Sequence, residues 1–276
     1  MGTLYLVATP IGNLEDISAR ALRVLREASL IAAEDTRHTR KLLQHYDIST
    51  PTTSYHEHSK SSKIDQIINT LGQGDVAVVS DAGTPALNDP GYELVVAALE
   101  AGFEVSPIPG PSAPLAALVA SGLPTDSFLY LGYLPRKVSQ RRQLLQEVAP
   151  LPYTLIFLET PHRLVSALEN LENELGSRRI AVARELTKKF EEIFRGDLPS
   201  ARGYFTAQAP RGELTLVVEG RSPGEGKWSE ERMRLELRTS LASGVQPSKI
   251  ASPMASESGW TKSDVYRLLM ALKGKE

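Results

Sequence analysis

The stretch Val76-Ala77-Val78-Val79-Ser80-Asp81-Ala82-Gly83-Thr84-Pro85, continuing through Asn88-Asp89-Pro90-Gly91-Tyr92, decides the fold. Val76 to Ser80 is a short β-branched run, apolar on both faces as a buried parallel strand is. Gly, Pro and Asp then mark a loop. Beyond it Tyr92, Val95, Val96 and Leu99 follow the i, i+3, i+4, i+7 template before Gly102, the period of a helix with a glycine stop. Strand, loop and helix in that order are the repeating unit of parallel strands joined by crossover helices, so the predicted class is α/β.

The same alternation extends both ways. Leu4 to Ala8, Leu30 to Ala33 and Phe103 to Ile108 read as further strands, and Ile64, Ile67, Ile68 and Leu71 mark another helix before Gly72. Residues 1–113 are therefore one α/β lobe. Pro109-Gly110-Pro111-Ser112-Ala113-Pro114 opens a small-residue helix that ends near Gly122, and residues 114–125 read as a bridge. A second α/β series fills residues 126–220, with strands at Phe128 to Leu131, Tyr153 to Leu158, Ile180 to Arg184 and Leu214 to Glu219. Leu164, Leu168, Leu171 and Leu175 mark one of its helices. Residues 221–276 are a linker rich in glycine, proline and charge, followed by a small helical domain of helix-turn-helix layout. There Pro247 starts one helix, which Pro253 should kink or shorten, and Thr261 with Asp264 forms a capping box for the next.

Composition narrows the chemistry. A length of 276 residues fits two domains plus an appendage. The net charge of −2 gives no global attraction for nucleic acid, so any RNA contact needs a local basic patch. Absence of cysteine removes disulfides, thiolate nucleophiles and cysteine-ligated zinc. His56-Glu57-His58 lacks the partners that would complete a metal site, and no metal is expected. Met1 to Tyr5 lead straight into a strand with no export signal, and no apolar run reaches the roughly 20 residues of a membrane span, which predicts a cytoplasmic protein.

In open α/β sheets ligands bind beyond the carboxyl ends of the strands. Six polar loops occupy such places: Thr9 to Asn13, Glu34 to His38, Ser80 to Pro85, Pro109 to Ser112, Glu159 to Arg163 and Arg184 to Lys188. Any one of them is explained by turn chemistry. Charged residues such as Glu34, Asp35, Arg37, Glu159, His162, Arg163, Glu185 and Lys188 do no turn work, and a shared cleft explains them together. The fingerprints for pyrophosphate and triphosphate are missing, so a nucleoside without phosphate, of which S-adenosylmethionine is one, is the better ligand. His38 falls in one of these loops, and His45 reads as a helix-surface residue.

At these loops the chain resembles the tetrapyrrole methylase-like class of S-adenosylmethionine methyltransferases, and within it the branch acting on small-subunit ribosomal RNA. The resemblance rests on TPIGN (Thr9 to Asn13), AEDTRHT (Ala33 to Thr39), SDAGTP with NDPGY (Ser80 to Tyr92), PGPS (Pro109 to Ser112), GYLPR (Gly132 to Arg136), ETPHR (Glu159 to Arg163) and ARELTK (Ala183 to Lys188). It implies two lobes with the cofactor between them, a homodimer, and methyl transfer to the ribose 2′-hydroxyl of a cytidine in the decoding region of the RNA, free or in the assembled subunit. It implies that Asp81, Ala82, Gly83, Thr84, Ser112 and Ala113 touch S-adenosylmethionine, with Pro10, Leu158 and Leu214 enclosing it.

A ribose hydroxyl is a weak nucleophile that needs a base or a stabilising cation. The candidates are Glu34, Asp35, Glu159 and Glu185 as bases and Arg37, Arg163 and Lys188 as cations, with ion pairs between the lobes as the plainer alternative. Arg136, Lys137, Arg141 and Arg142 make a basic stripe suited to RNA phosphates, the alternative being a solvated helix face. Two rival functions remain: a methyltransferase acting on tetrapyrroles, which gives the stripe and the tail no purpose, and a non-catalytic RNA-binding or ribosome assembly factor.

Overall fold

The most apolar runs become strands because they bury both faces, as Val76–Val79 and Leu214–Val218 do at every position. In a computed structural model, which describes residues 2–56, 61–208, 210–222, 228–243, 245 and 247–273, the first lobe contains β1 (Thr3–Val7), α1 (Ala19–Glu27), β2 (Leu30–Ala33), α2 (Thr36–His45), β3 (Thr52–Ser54), α3 (Ser61–Leu71), β4 (Val76–Val79), α4 (Tyr92–Glu100) and β5 (Glu104–Ile108). The strands form one sheet in the order β3-β2-β4-β1-β5, with every pairing parallel. Alternation along β4 divides the core: Ala77 and Val79 pack with Val24 and Leu25 of α1 and Leu42 of α2, whereas Val76 and Val78 pack with Ile67 and Leu71 of α3 and Leu94 of α4.

The second sheet departs from the all-parallel scheme. After α5 (Ala113–Ser121) come β6 (Phe128–Tyr133), α6 (Val138–Val148), β7 (Thr154–Glu159), α7 (Leu164–Leu175), β8 (Arg179–Arg184), β9 (Glu192–Asp197), α8 (Leu198–Ala207) and β10 (Leu214–Val218). The order is β6-β7-β10-β8-β9; β6 and β7 are parallel, while β10 runs antiparallel to both its neighbours and β9 antiparallel to β8. Ala117 and Leu118 of α5 lie against Ile156, Ala181, Ala183 and Val217 of this sheet.

The chain divides into two compact units, one of Met1–Glu147 with Thr154–Glu219 and one of Val148–Tyr153 with Gly220–Glu276. The first holds both sheets. The second is built on α9 (Glu230–Ala242), α10 (Pro247–Ser258) and α11 (Lys262–Lys273), whose Met233, Leu237, Ile250, Ala251, Val265 and Leu269 share a core. The capping box stands as read: Thr261 Oγ1 accepts from Asp264 N at 3.1 Å and donates to Asp264 Oδ2 at 2.8 Å. Helix α10 is not shortened at Pro253. A proline there removes one backbone bond, while Ile250, Ala251 and Ser258 on either side of it stay buried. Of the linker, residues 223–227 lie outside the described residues. No helix among those described is long and apolar enough to cross a membrane.

Candidate active site

Three loops of the first sheet are stitched into one wall. Thr9 and Gly83 exchange backbone hydrogen bonds of 2.8 and 3.0 Å, Thr9 Oγ1 donates to the Ser80 carbonyl at 3.2 Å, and Thr84 Oγ1 donates to the Pro111 carbonyl at 3.3 Å. The loop after β2 joins them reciprocally: Asp35 N donates to Asp81 Oδ1 at 3.1 Å and Asp81 N donates to Glu34 Oε2 at 3.2 Å. Because all these strands are parallel, their carboxyl ends meet on one edge.

The opposite wall comes from the second sheet, and here strand direction decides which residues arrive. β6, β7 and β8 present their carboxyl ends (Tyr133, Leu158, Glu185), while antiparallel β10 presents its amino end (Glu213, Leu214). Between the walls is a cavity of about 270 Å³. Two glycines permit the approach: a side chain at Gly12 would strike Lys188 and Thr187 across the cleft, and one at Gly132 would strike Asn88. Of the five non-glycine residues with left-handed φ among the described residues, four lie in the facing loops, namely Ala86, Asn88, Glu185 and Thr187. Such conformations cost about 1–3 kcal/mol each and collect where a site over-determines its backbone.

The cleft gathers Asp81, Ala82, Gly83, Thr84, Ser112, Ala113, Leu158 and Leu214, as the loop motifs implied. Pro10 is elsewhere, in a neighbouring recess with Leu14, His38 and Leu42 that shares Asp81 with the cleft. Among the catalytic candidates Glu34, Glu185 and Lys188 line the cleft, the last two joined by a 2.9 Å ion pair. Asp35 and Arg37 do not. Asp35 caps α2, accepting from Arg37 N at 2.8 Å, and is paired with the exposed Arg37 guanidinium at 2.7 Å. That partner holds the Asp35 carboxyl well below the usual carboxylate range, so it is a poor proton acceptor. Glu159 is buried and paired with Arg163 at 3.1 Å, away from the cleft lining. His38 and His45 are both exposed, and Glu57 and His58 of the histidine run lie outside the described residues.

The expected basic stripe is broken by burial. Arg136 and Lys137 are exposed and Arg142 pairs with Glu174 at 3.4 Å. Arg141 is only 3% exposed, its Nε donating to Asn170 Oδ1 at 3.0 Å and its Nη2 to Ser166 Oγ at 3.1 Å. Both partners belong to α7, so Arg141 is turned inward on α6 while Arg136 and Lys137 just before the helix stay in solvent.

Four ionisable lining residues were not among the sequence candidates: Asp89, Tyr130, Tyr133 and Glu213. Burial, then the charge of Glu34, pushes Asp89 up to about 6 against a hydrogen bond from Ser80, with Glu213 and Asp81 adding to the rise. Burial pushes Tyr130 up to about 12. Asp89 belongs to the NDPGY stretch, so it could have been found there. Glu213 could not be found by searching after strands, because it precedes an antiparallel one.

Residues 3–202 match the family model of Tetrapyrrole (Corrin/Porphyrin) Methylases. The chain is 48% identical over 272 residues to Ribosomal RNA small subunit methyltransferase I of Halalkalibacterium halodurans, covering 97% of this chain and 94% of the relative. To the protein of the same name from Pseudomonas aeruginosa it is 44% identical, with 99% of each chain covered. The solved structure of the methyltransferase CobJ has the same fold at 20% identity, with a TM-score of 0.61 over 80% of this chain and 95% of that one. With more than two-thirds of its length matched by one family model and nearly its full span by such relatives, the chain belongs to the tetrapyrrole methylase family.

Proposed function

We propose that this methyltransferase acts on small-subunit ribosomal RNA, placing a methyl group from S-adenosylmethionine on the ribose 2′-hydroxyl of a cytidine in the decoding region. The observation that carries the reading is the 48% identity over nearly the whole of both chains to a relative so named. The acceptor is the RNA, free or within the subunit, and the enzyme works as a homodimer in the cytoplasm.

The cleft fits the cofactor. Its lining carries the carboxylates of Glu34, Asp81, Asp89, Glu185 and Glu213 against the single cation Lys188, an excess of negative charge suited to a ligand bearing a sulfonium and an ammonium. Asp81 to Thr84, Ser112 and Ala113 would hold it from the first lobe, with Leu158 and Leu214 closing the second. When bound, S-adenosylmethionine supplies a methyl group already activated by its sulfonium. The protein's own contribution is to orient the ribose oxygen, exclude water and take its proton.

Asp89 is the group best placed to take that proton. Asp35 is held by Arg37 and Glu185 by Lys188, whereas Asp89 faces carboxylates that raise its affinity for a proton toward neutrality. Glu34, Asp81, Glu213, Tyr130 and Tyr133 surround it, and none is a cation. Transfer of tritiated methyl to purified small ribosomal subunits tests the reading, beside cofactor affinity by calorimetry. Cofactor binding without transfer to subunits leaves the tetrapyrrole enzyme, and absence of cofactor binding leaves the non-catalytic factor.

A further inference from the structure

Beyond the cleft, the loops after β6 and β7 enclose a second, more open cavity of about 600 Å³, lined by Arg136, Val138, Arg141, Thr160, His162, Arg163 and Ser166. Its charge is not balanced. Arg163 is served by Glu159 and by the Leu134 carbonyl, but Arg141 is buried with only the neutral partners Asn170 and Ser166, and Arg136 has no hydrogen bond or ion pair among the described residues. Three arginines thus share one carboxylate. Burial pulls the Arg141 pKa below the usual arginine value; the charge of Glu159 opposes that pull and the neighbouring Arg163 charge adds to it. A guanidinium removed from water with no carboxylate of its own, the nearby Glu159 being paired with Arg163, is costly, and cations so placed are normally completed by an anion.

We propose that this cavity binds a backbone phosphate of the RNA substrate, with Arg136 and Arg141 as its principal ligands and the Thr160 and Ser166 hydroxyls beside them. The inference rests on the RNA reading of the cleft and adds a place for the polymer. Tyr133 and Leu158 line the cleft, while Arg136 and Thr160, three and two residues further along the same chains, line the cavity. Three residues span at most about 10 Å, so a nucleotide with its ribose in the cleft has a neighbouring phosphate within reach of the arginines. The cavity is roomier than one phosphate needs, which suits a passing strand more than a small anion.

The test uses the full chain and three readouts. Arg136→Ala, an exposed change, and Arg141→Met, a neutral one of similar length, are compared with the parent. A fluorescein-labelled single-stranded ribo-oligonucleotide reports RNA affinity across salt concentrations, methylation of small subunits reports KM and kcat, and calorimetry reports cofactor affinity. Each variant should weaken RNA binding and raise the subunit KM roughly ten- to hundredfold, with the salt slope of oligonucleotide binding smaller by about 0.7. Cofactor affinity should not move. Arg141→Met relieves a buried charge but leaves Asn170 and Ser166 without their donor, so the slope and not the melt decides: it should fall in this variant, whereas a purely structural arginine would lower the melt and spare the slope. Parental affinity and slope in both variants overturn the proposal whether or not subunits are methylated. If inorganic phosphate raises the melting temperature of the parent but of neither variant, while both keep the parental RNA slope, the cavity serves a free anion and the proposal also fails. A parent that binds RNA but does not methylate subunits refutes the proposed function alone.

Discussion

The cleft and the arginine cavity begin within three residues of each other on β6 and β7, yet they carry opposite charge. Five carboxylates and one lysine line the first; three arginines and a histidine line the second. The strands therefore carry no charge preference of their own, and the loop sequence assigns it. Tyr133 and Leu158 look into acid surroundings, whereas Arg136, Arg141, His162 and Arg163, which come after them in the chain, supply the cations. A methyl donor that is a cation and an acceptor that is a polyanion need this separation, since one mixed site would let the two sets of groups neutralise each other.

The sharpest way to break the comparison is to remove the acid proposed as the base. Asp89→Asn should lower kcat by about 10²- to 10⁴-fold with cofactor affinity retained, the range for a general base. The parental kcat should rise with pH through about 6 and then level, because the ionised carboxylate is the active form, and the variant should lack that limb. For stability the sign is reversed. A carboxyl whose folded pKa is raised binds its proton more tightly when folded, so its contribution is present below the unfolded value and lost as pH rises through about 6. A pH series of thermal melts on parent and variant checks this; a parental rate flat from pH 5 to 8 removes Asp89 from the reaction.

A comparable effect, on stability instead of rate, is expected in the basic cavity. Arg141→Glu would bury a carboxylate beside Glu159 and leave Asn170 and Ser166 without their donor. The expected loss is about 3–5 kcal/mol in a chemical denaturation curve, the cost of an uncompensated buried charge. A parental melting temperature would place this side chain in solvent.

Smaller is the effect of Asp81→Ala, which removes an acceptor from the cleft and the tie to Asp35 N. Cofactor affinity should fall roughly ten- to hundredfold, as for a hydrogen bond to a charged group, and Asp81→Asn, which keeps an acceptor, should recover part of it. Calorimetry decides, and unchanged affinity in a folded Asp81→Ala protein moves the cofactor off this loop. Smaller again, an acid-lined cleft should prefer the sulfonium cofactor to its demethylated thioether by a margin that narrows as salt rises, measured by the same method in parallel titrations. A margin indifferent to salt would mean that shape alone discriminates.

Much of this was legible in the chain, for local reasons. The i, i+3, i+4 pattern before Gly72 and Gly102 and the β-branched runs reflect burial on both faces of a parallel sheet, which leaves a strong sequence trace. β9 leaves little trace, because Glu192-Ile193-Phe194-Arg195-Gly196-Asp197 is an edge strand with charged ends. The direction of β10 is set by pairing and not by its own residues, so Glu213 at its amino end was out of view of a search beyond carboxyl ends. Arg141 and Arg142 are adjacent in sequence and alike in type, and only the packing of α6 on α7 tells them apart.

That last pair yields the smallest expected effect and the closest control. Arg142 is more than half exposed and its ion pair with Glu174 is 3.4 Å long, so in water the attraction is screened and offset by the entropy of holding two long side chains. Arg142→Glu should change stability by no more than about 0.5 kcal/mol, apart from a slight repulsion of Glu174 that salt removes. Arg142 is also absent from the cavity lining, so the RNA salt slope should stay within error of the parent while Arg136→Ala lowers it. Anisotropy titrations of the two variants at matched salt make the comparison. If Arg142→Glu weakens RNA binding as much as Arg136→Ala does, the phosphates are read by the outer face of α6 as a continuous stripe, and the division between a buried anion cavity and a solvated helix face is wrong.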